Sequence, residues 1–203
     1  MTIDSTITVK LTQPRLESGV SIEHCVHSRR SVRTFRDRRL TEDELGQLLW
    51  AAQGVTATEG RRTVPSAGAL YPLQVYVACG DVGALACGVY RYRPDHHELA
   101  LIARDYQRDK LVVATHGQEW LAGASAVICL TALFERTTVK YGNRGRGYVY
   151  MEAGHAAESL ELQATALGLA TTIVGAFDDD EVKRLLHLDA NETPLCLLPV
   201  GAP

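Results

Sequence analysis

The chain has 203 residues, 46% of them hydrophobic and 22% charged, a globular profile long enough to bury a core as one domain, residues 1–203, with 1–20 as an N-terminal extension. A formal net charge of -3 argues against general nucleic-acid binding. Met1 to Gln13 shows no basic leader ahead of an apolar core, and nowhere do about eighteen apolar residues run together, so the expectation is a cytoplasmic protein with no membrane segment.

The first helix is expected over about Ile22 to Arg30. A second starts at Thr41, whose hydroxyl caps the helix while Glu44 reaches back, with Leu45, Leu48, Leu49 and Ala52 as its apolar face. After a small-residue turn at Pro65, the alternating segment Leu73 to Cys79 reads as a strand. Val89 to Arg93 and Glu98 to Ala103 flank Pro94-Asp95-His96-His97 as a hairpin, and helical patterning resumes from Asp105 to about Trp120. Ser125 to Leu133 is a continuous apolar run short enough for a central strand.

Tyr148 to Gly168 is the longest helix expected. It carries Ala153, Ala157, Leu160, Ala164 and Leu167 on one side and Met151, Leu162 and Ala166 on others, a distribution that implies burial from several sides and hints at a second subunit. Gly168 stops it, Thr171 to Val174 reads as a strand, Asp178 caps a helix with Glu181 three residues on, and Leu195 to Val200 is the last strand. The class is α+β, helices around a mainly antiparallel sheet.

Chemistry is suggested by two segments. Arg29, Arg30 and Arg33 with Ser31 crowd the end of the first helix, and Pro65-Ser66-Ala67-Gly68-Ala69-Leu70-Tyr71-Pro72 is a turn with few bulky side chains. Guanidinium forks grip phosphate oxygens bidentately, and such a turn lets backbone amides approach a flat ring, so together they read as a flavin site. The wider run, with Arg36, Arg38 and Arg39, is a local anion site or partly a solvated face.

Other signatures are missing. No GxGxxG opens a βαβ unit, and GxxxxGK[ST] and GxSxG are absent. Gly142 to Gly147 is glycine-rich but reads as a flexible loop. Glu152 and His155 have ExxH spacing without the further ligands a metal needs, and His24 and His27 lack partners. The five cysteines lie singly with no CxxC and read as buried free thiols. Lys140-Tyr141 is an ordinary surface dipeptide unless partly buried, where either side chain can serve as a general acid or base.

Seven motifs in order carry a resemblance: Arg29-Arg30-Ser31-Val32-Arg33, Leu48 to Gly54, Pro65 to Pro72, Lys140-Tyr141-Gly142, Glu152 to His155, Gly168-Leu169-Ala170, and Val174 to Phe177. Together they closely resemble the SagB-type (thiazole/oxazole-forming oxidase) dehydrogenase branch of the FMN-dependent nitroreductase superfamily, from about Ser28 to Gly201. The resemblance implies a nitroreductase-like fold and a homodimer with two FMN molecules at the subunit interface, the long helix lying at that interface. It implies that Arg29, Arg30, Ser31 and Arg33 hold the FMN phosphate and the pyrimidine edge of the flavin. Pro65, Ser66, Ala67, Gly68 and Leu70, with Ile173, Val174, Gly175 and Ala176, would line the ring. In the peptide-modifying members, flavin takes a hydride from an azoline ring as a base removes the neighbouring proton, and a pair resembling Lys140-Tyr141 is assigned to that proton transfer.

The substrate implied is a small molecule or modified peptide, with a modifying-enzyme partner in prospect. Two alternatives stand beside it: an NAD(P)H-dependent nitro, quinone or flavin reductase, with NAD(P)H as electron donor, and an inactive flavin-binding scaffold.

Overall fold

A computed structural model describes residues 7–203. The earliest part of the Met1 to Gln13 stretch therefore lies outside the described residues. Seven strands, β1 (Thr8–Lys10), β2 (Leu73–Cys79), β3 (Gly88–Arg93), β4 (Glu98–Ala103), β5 (Ala126–Ala132), β6 (Ala170–Thr171) and β7 (Thr193–Gly201), form one sheet of order β1-β4-β3-β2-β5-β7-β6. Every neighbouring pair is antiparallel.

The central strands are apolar on both sides because both faces are covered. In β2, Val75, Val77 and Cys79 belong to one core while Tyr76 and Ala78 point into another, and β5 alternates likewise between Ile128 and Leu130 on one side and Val127 and Cys129 on the other. That is why Ser125 to Leu133 shows no alternation in sequence. The first face is packed by α2 (Glu42–Gln53) and α5 (Arg144–Ala166), the second by α3 (Arg108–Ala114), a 3-10 helix (Glu119–Gly123) and α6 (Asp179–Leu185). The remaining helices are α1 (Ile22–Ser28) and α4 (Glu135–Tyr141).

Local sequence accounts for several boundaries. The Thr41 hydroxyl accepts from the Glu44 N–H at 3.1 Å, and the Glu44 carboxylate accepts from the Thr41 N–H at 2.8 Å, a reciprocal cap that starts α2. Leu45, Leu48, Leu49 and Ala52 are all fully buried below it. Asp178 accepts from the Glu181 N–H at 2.8 Å and starts α6.

Three expectations are corrected. The helix expected over Asp105 to Trp120 breaks, because His116 and Gly117 adopt left-handed conformations at φ 57° and 79°, and only Arg108–Ala114 is α-helical. The expected loop at Gly142 to Gly147 is mostly helix: Gly142 (φ 56°) ends α4, and α5 begins at Arg144. Gly145 allows the two helices to touch there, since a Cβ would lie 3.1 Å from the Thr137 carbonyl oxygen. The strand expected over Thr171 to Val174 pairs only at Ala170–Thr171, with Val174 making a separate bridge to Leu197. The N-terminal extension contains β1, which pairs with β4 at the sheet edge.

Burial of α5 is also one-sided within the chain. Val149, Glu152, Ala153, Ala156, Ala157, Leu160 and Ala164 face inward, whereas Tyr150 and Met151 are more than half exposed. Cys25, Cys79, Cys129 and Cys196 are buried free thiols, but Cys87 is exposed. No described helix is long and apolar enough to cross a membrane.

Candidate active site

The arginine segment leaves α1 and runs beside the C-terminal side of the sheet. Its Val32 N–H donates to the Thr171 carbonyl at 3.0 Å, and Arg36 bridges to Ala202. This brings Arg29 to Arg33 beside the strand that leads into Ile173, exposed Gly175 and exposed Ala176, so these two expected groups meet. Val174 itself is buried.

The guanidiniums take different partners. Arg29 lies 3.9 Å from the carboxylates of both Glu158 and Glu161 on α5, an ion pair rather than a hydrogen bond. Burial pushes the Glu161 carboxyl up while Arg29 pulls it down. Arg30 donates to the carbonyls of His27 at 2.8 Å and Arg29 at 2.7 Å, closing the end of α1. Arg33 lies over the Trp120 ring at 5.9 Å, and Ser31 is exposed.

The small-residue turn is a short 3-10 turn at Ala67–Ala69 between α2 and β2. Gly68 at φ 65°, Ala69 at 54° and Tyr71 at 45° all lie in the left-handed region, a strained arrangement for the last two. Directly over it sit Lys140 and Tyr141: a Cβ on Gly68 would lie 2.8 Å from the Tyr141 hydroxyl and 3.0 Å from the Lys140 Nζ. The amine itself lies 5.4 Å from the Tyr141 ring centre, and Tyr148 packs edge-on against Tyr141 at 5.2 Å. The pair expected to move protons and the turn expected to line a flat ring therefore form one surface.

Behind the turn is a polar cluster that motif reading missed. Arg62 stacks on the Tyr71 ring at 4.6 Å and donates to the Gln53 side chain at 2.8 Å. Glu152, 2% exposed on α5, faces it. Burial pushes the Glu152 carboxyl up to about 7 against the pull of the Ser66 hydroxyl and of Arg62. In the sequence Glu152 stands out through its ExxH spacing with His155 and its place in the Glu152 to His155 motif. His155, three residues on, is exposed, so the ExxH pair divides between interior and surface. Among the described residues no group of three His, Cys, Asp or Glu side chains is placed to hold a metal.

Six residues separate Glu152 from Glu158, about 9 Å along α5, so the turn and Arg29 are stations on one helix. One substitution tests the surface. Gly68→Ala is expected to cost about 1 kcal/mol in backbone strain and to displace Lys140 and Tyr141, with the thermal midpoint falling by a few degrees while turnover falls much more.

An antiparallel sheet covered on both faces by helices, with a basic segment and a small-residue turn along one long helix, is the frame of an α+β oxidoreductase. The family profile for "Nitroreductase family" matches residues 26–202, and the chain belongs to that family. It is 43% identical over 194 residues, 96% of each chain, to a Methanocaldococcus jannaschii protein named a candidate nitroreductase, MJ1384. Among solved structures, a candidate nitroreductase of Anabaena variabilis superimposes with a TM-score of 0.86 at 30% identity, over 97% of this chain and 42% of that one. The E. coli microcin synthetase McbBCD complex with truncated pro-MccB17 bound contains a chain that matches with a TM-score of 0.76 at 26% identity, over 95% of this chain and 77% of that chain.

Proposed function

We propose that the chain, acting over residues 1–203 as one domain, is an FMN-dependent oxidoreductase of the SagB-type dehydrogenase kind and works as a homodimer. The observation that carries this reading is that Lys140 and Tyr141 close directly over Gly68, on the turn proposed to line the ring. The turn carries few bulky side chains, as the approach of a flat ring needs, and the amine and phenol packed against Gly68 are the groups a proton transfer needs.

FMN, when bound, supplies the two-electron acceptor. Arg29, Arg30, Ser31 and Arg33 supply cationic and hydroxyl donors for its phosphate and pyrimidine edge. Pro65, Ser66, Ala67, Gly68 and Leu70 and the Ile173 to Ala176 strand end present backbone at close range. The exposed strip of α5, with Tyr150 and Met151, supplies an apolar surface for a second copy. Lys140 or Tyr141 accepts the proton from the carbon next to the one that loses hydride; an azoline ring so treated gains a double bond, giving up two electrons and two hydrogens. The likeness to the microcin synthetase complex supports a heterocycle or modified peptide as substrate and a modifying enzyme as partner.

A second reading, an NAD(P)H-dependent nitro, quinone or flavin reductase, is favoured by the 43% identity to MJ1384. Purified protein is expected to be yellow and dimeric and to release FMN, identified by mass. A colourless monomer that takes up no added FMN would sink the proposal. Rapid NADPH oxidation with no action on azoline peptides would favour the second reading.

A further inference from the structure

We infer that Glu152 is a positioning residue: acting through Ser66, it holds the turn from Ser66 to Tyr71 in the shape on which Lys140 and Tyr141 rest.

The argument starts from cost. A carboxyl with 2% exposure is expensive to bury, and its Oε1 has no hydrogen-bond partner, so α5 carries this group at a penalty that an alanine would avoid. Its polar neighbours are the Ser66 hydroxyl and the Arg62 guanidinium. Ser66 already accepts from the Tyr71 N–H at 2.9 Å, bridging the turn. A hydroxyl that accepts there has its proton free to donate, and the Glu152 carboxyl is the acceptor beside it.

The carbonyl of the same residue leads to the proton-transfer pair. The Tyr71 carbonyl accepts from Arg136 on α4 at 3.0 Å, and Lys140 stands one helical turn beyond Arg136. Hydrogen bonds thus join Ser66 to Tyr71 and Tyr71 to Arg136 on α4, with Glu152 on α5 standing at the Ser66 end. Left-handed Ala69 and Tyr71 persist only where their surroundings dictate them, and Arg62 adds to that from behind, its N–H donating to the Tyr71 hydroxyl at 3.3 Å. Gln in place of Glu152 keeps an acceptor oxygen for Ser66, whereas Ala removes it.

The test compares Glu152→Gln, Glu152→Ala, Ser66→Ala and the Glu152→Ala/Ser66→Ala double variant. Ring-labelled tyrosine NMR on the chain without flavin, with Tyr141 assigned by its loss in Tyr141→Phe, reads the geometry directly. Glu152→Ala and Ser66→Ala should each move or broaden the Tyr141 signal, Glu152→Gln should leave it in place, and the double variant should match Ser66→Ala, because Glu152 acts through that hydroxyl. In flavin-loaded protein, kcat should fall roughly ten- to a hundred-fold in the Ala variants and recover to within about three-fold in Glu152→Gln. That arm rests on the function proposed above; the NMR arm does not, so an absence of flavin sinks the one and leaves the other standing. A folded Glu152→Ala with an unmoved Tyr141 signal, a Gln variant as damaged as Ala, or additive effects in the double variant overturns the inference. Should Glu152→Ala not fold, Ser66→Ala against Glu152→Gln decides by the same signal.

Discussion

Lys140→Ala should leave FMN bound and slow turnover by about 10² to 10⁴, the range over which a positioned acid or base contributes. The reason is location. Lys140 is the sixth residue of α4, its amine lies against the Tyr141 ring, and both groups overhang the turn at Gly68, whereas the arginines proposed to hold the phosphate lie on another segment. Flavin affinity and proton transfer are thereby served by different side chains, and removing one should spare the other. Flavin titration monitored by absorbance, together with steady-state turnover, checks both halves. Tyr141→Phe should show a comparable loss, and the double variant much less than the product of the two, because residues that act as a unit are not additive. Turnover within two- to three-fold of the parent would remove Lys140 from the mechanism.

Glu192→Ala should destabilise the fold by about 3 to 5 kcal/mol, read as a lower urea midpoint with an unchanged slope. Glu192 is fully buried in the connection between α6 and β7. One carboxylate oxygen accepts from the Tyr76 hydroxyl on β2 at 3.1 Å, the other from the Thr131 hydroxyl on β5 at 2.9 Å, and Arg91 on β3 stands 4.0 Å away. Burial, with the Glu192 charge second, pushes the Tyr76 hydroxyl far up, so the phenol stays a donor. Alanine would orphan two buried hydroxyls and leave Arg91 without this counter-charge. Glu192→Gln, which keeps one acceptor, should cost clearly less. A loss under about 1 kcal/mol for the Ala variant would show that the surrounding core absorbs the change.

Elements with a self-contained signal were legible in the sequence. The Thr41–Glu44 cap, the period of α2 and the extent of β2 each depend on residues within a few positions, and the structure reproduces them, with β2 buried on both faces. What depended on distant contacts was not. Three-residue β1 is a strand only because β4 offers it an edge, and the need for glycine at position 145 shows only once α4 is packed against it. At the candidate site the turn and the Lys-Tyr pair were readable as motifs, but their contact across some seventy residues was not. The joint role of Gln53, Arg62 and Glu152 was hidden for a related reason: Gln53 and Glu152 lie within recognised motifs and Arg62 in none, and only the fold gathers the three behind Tyr71.

The backbone tie from Val32 to Thr171, and that from Arg36 to Ala202, also set an order of events. During synthesis the arginine segment emerges early, yet its hydrogen-bonding partners are among the last residues of the sheet to be made. The end of the site proposed to hold phosphate can therefore take its final form only once residue 202 is free to pair, so any nucleotide bound there is acquired after both of these ties can close.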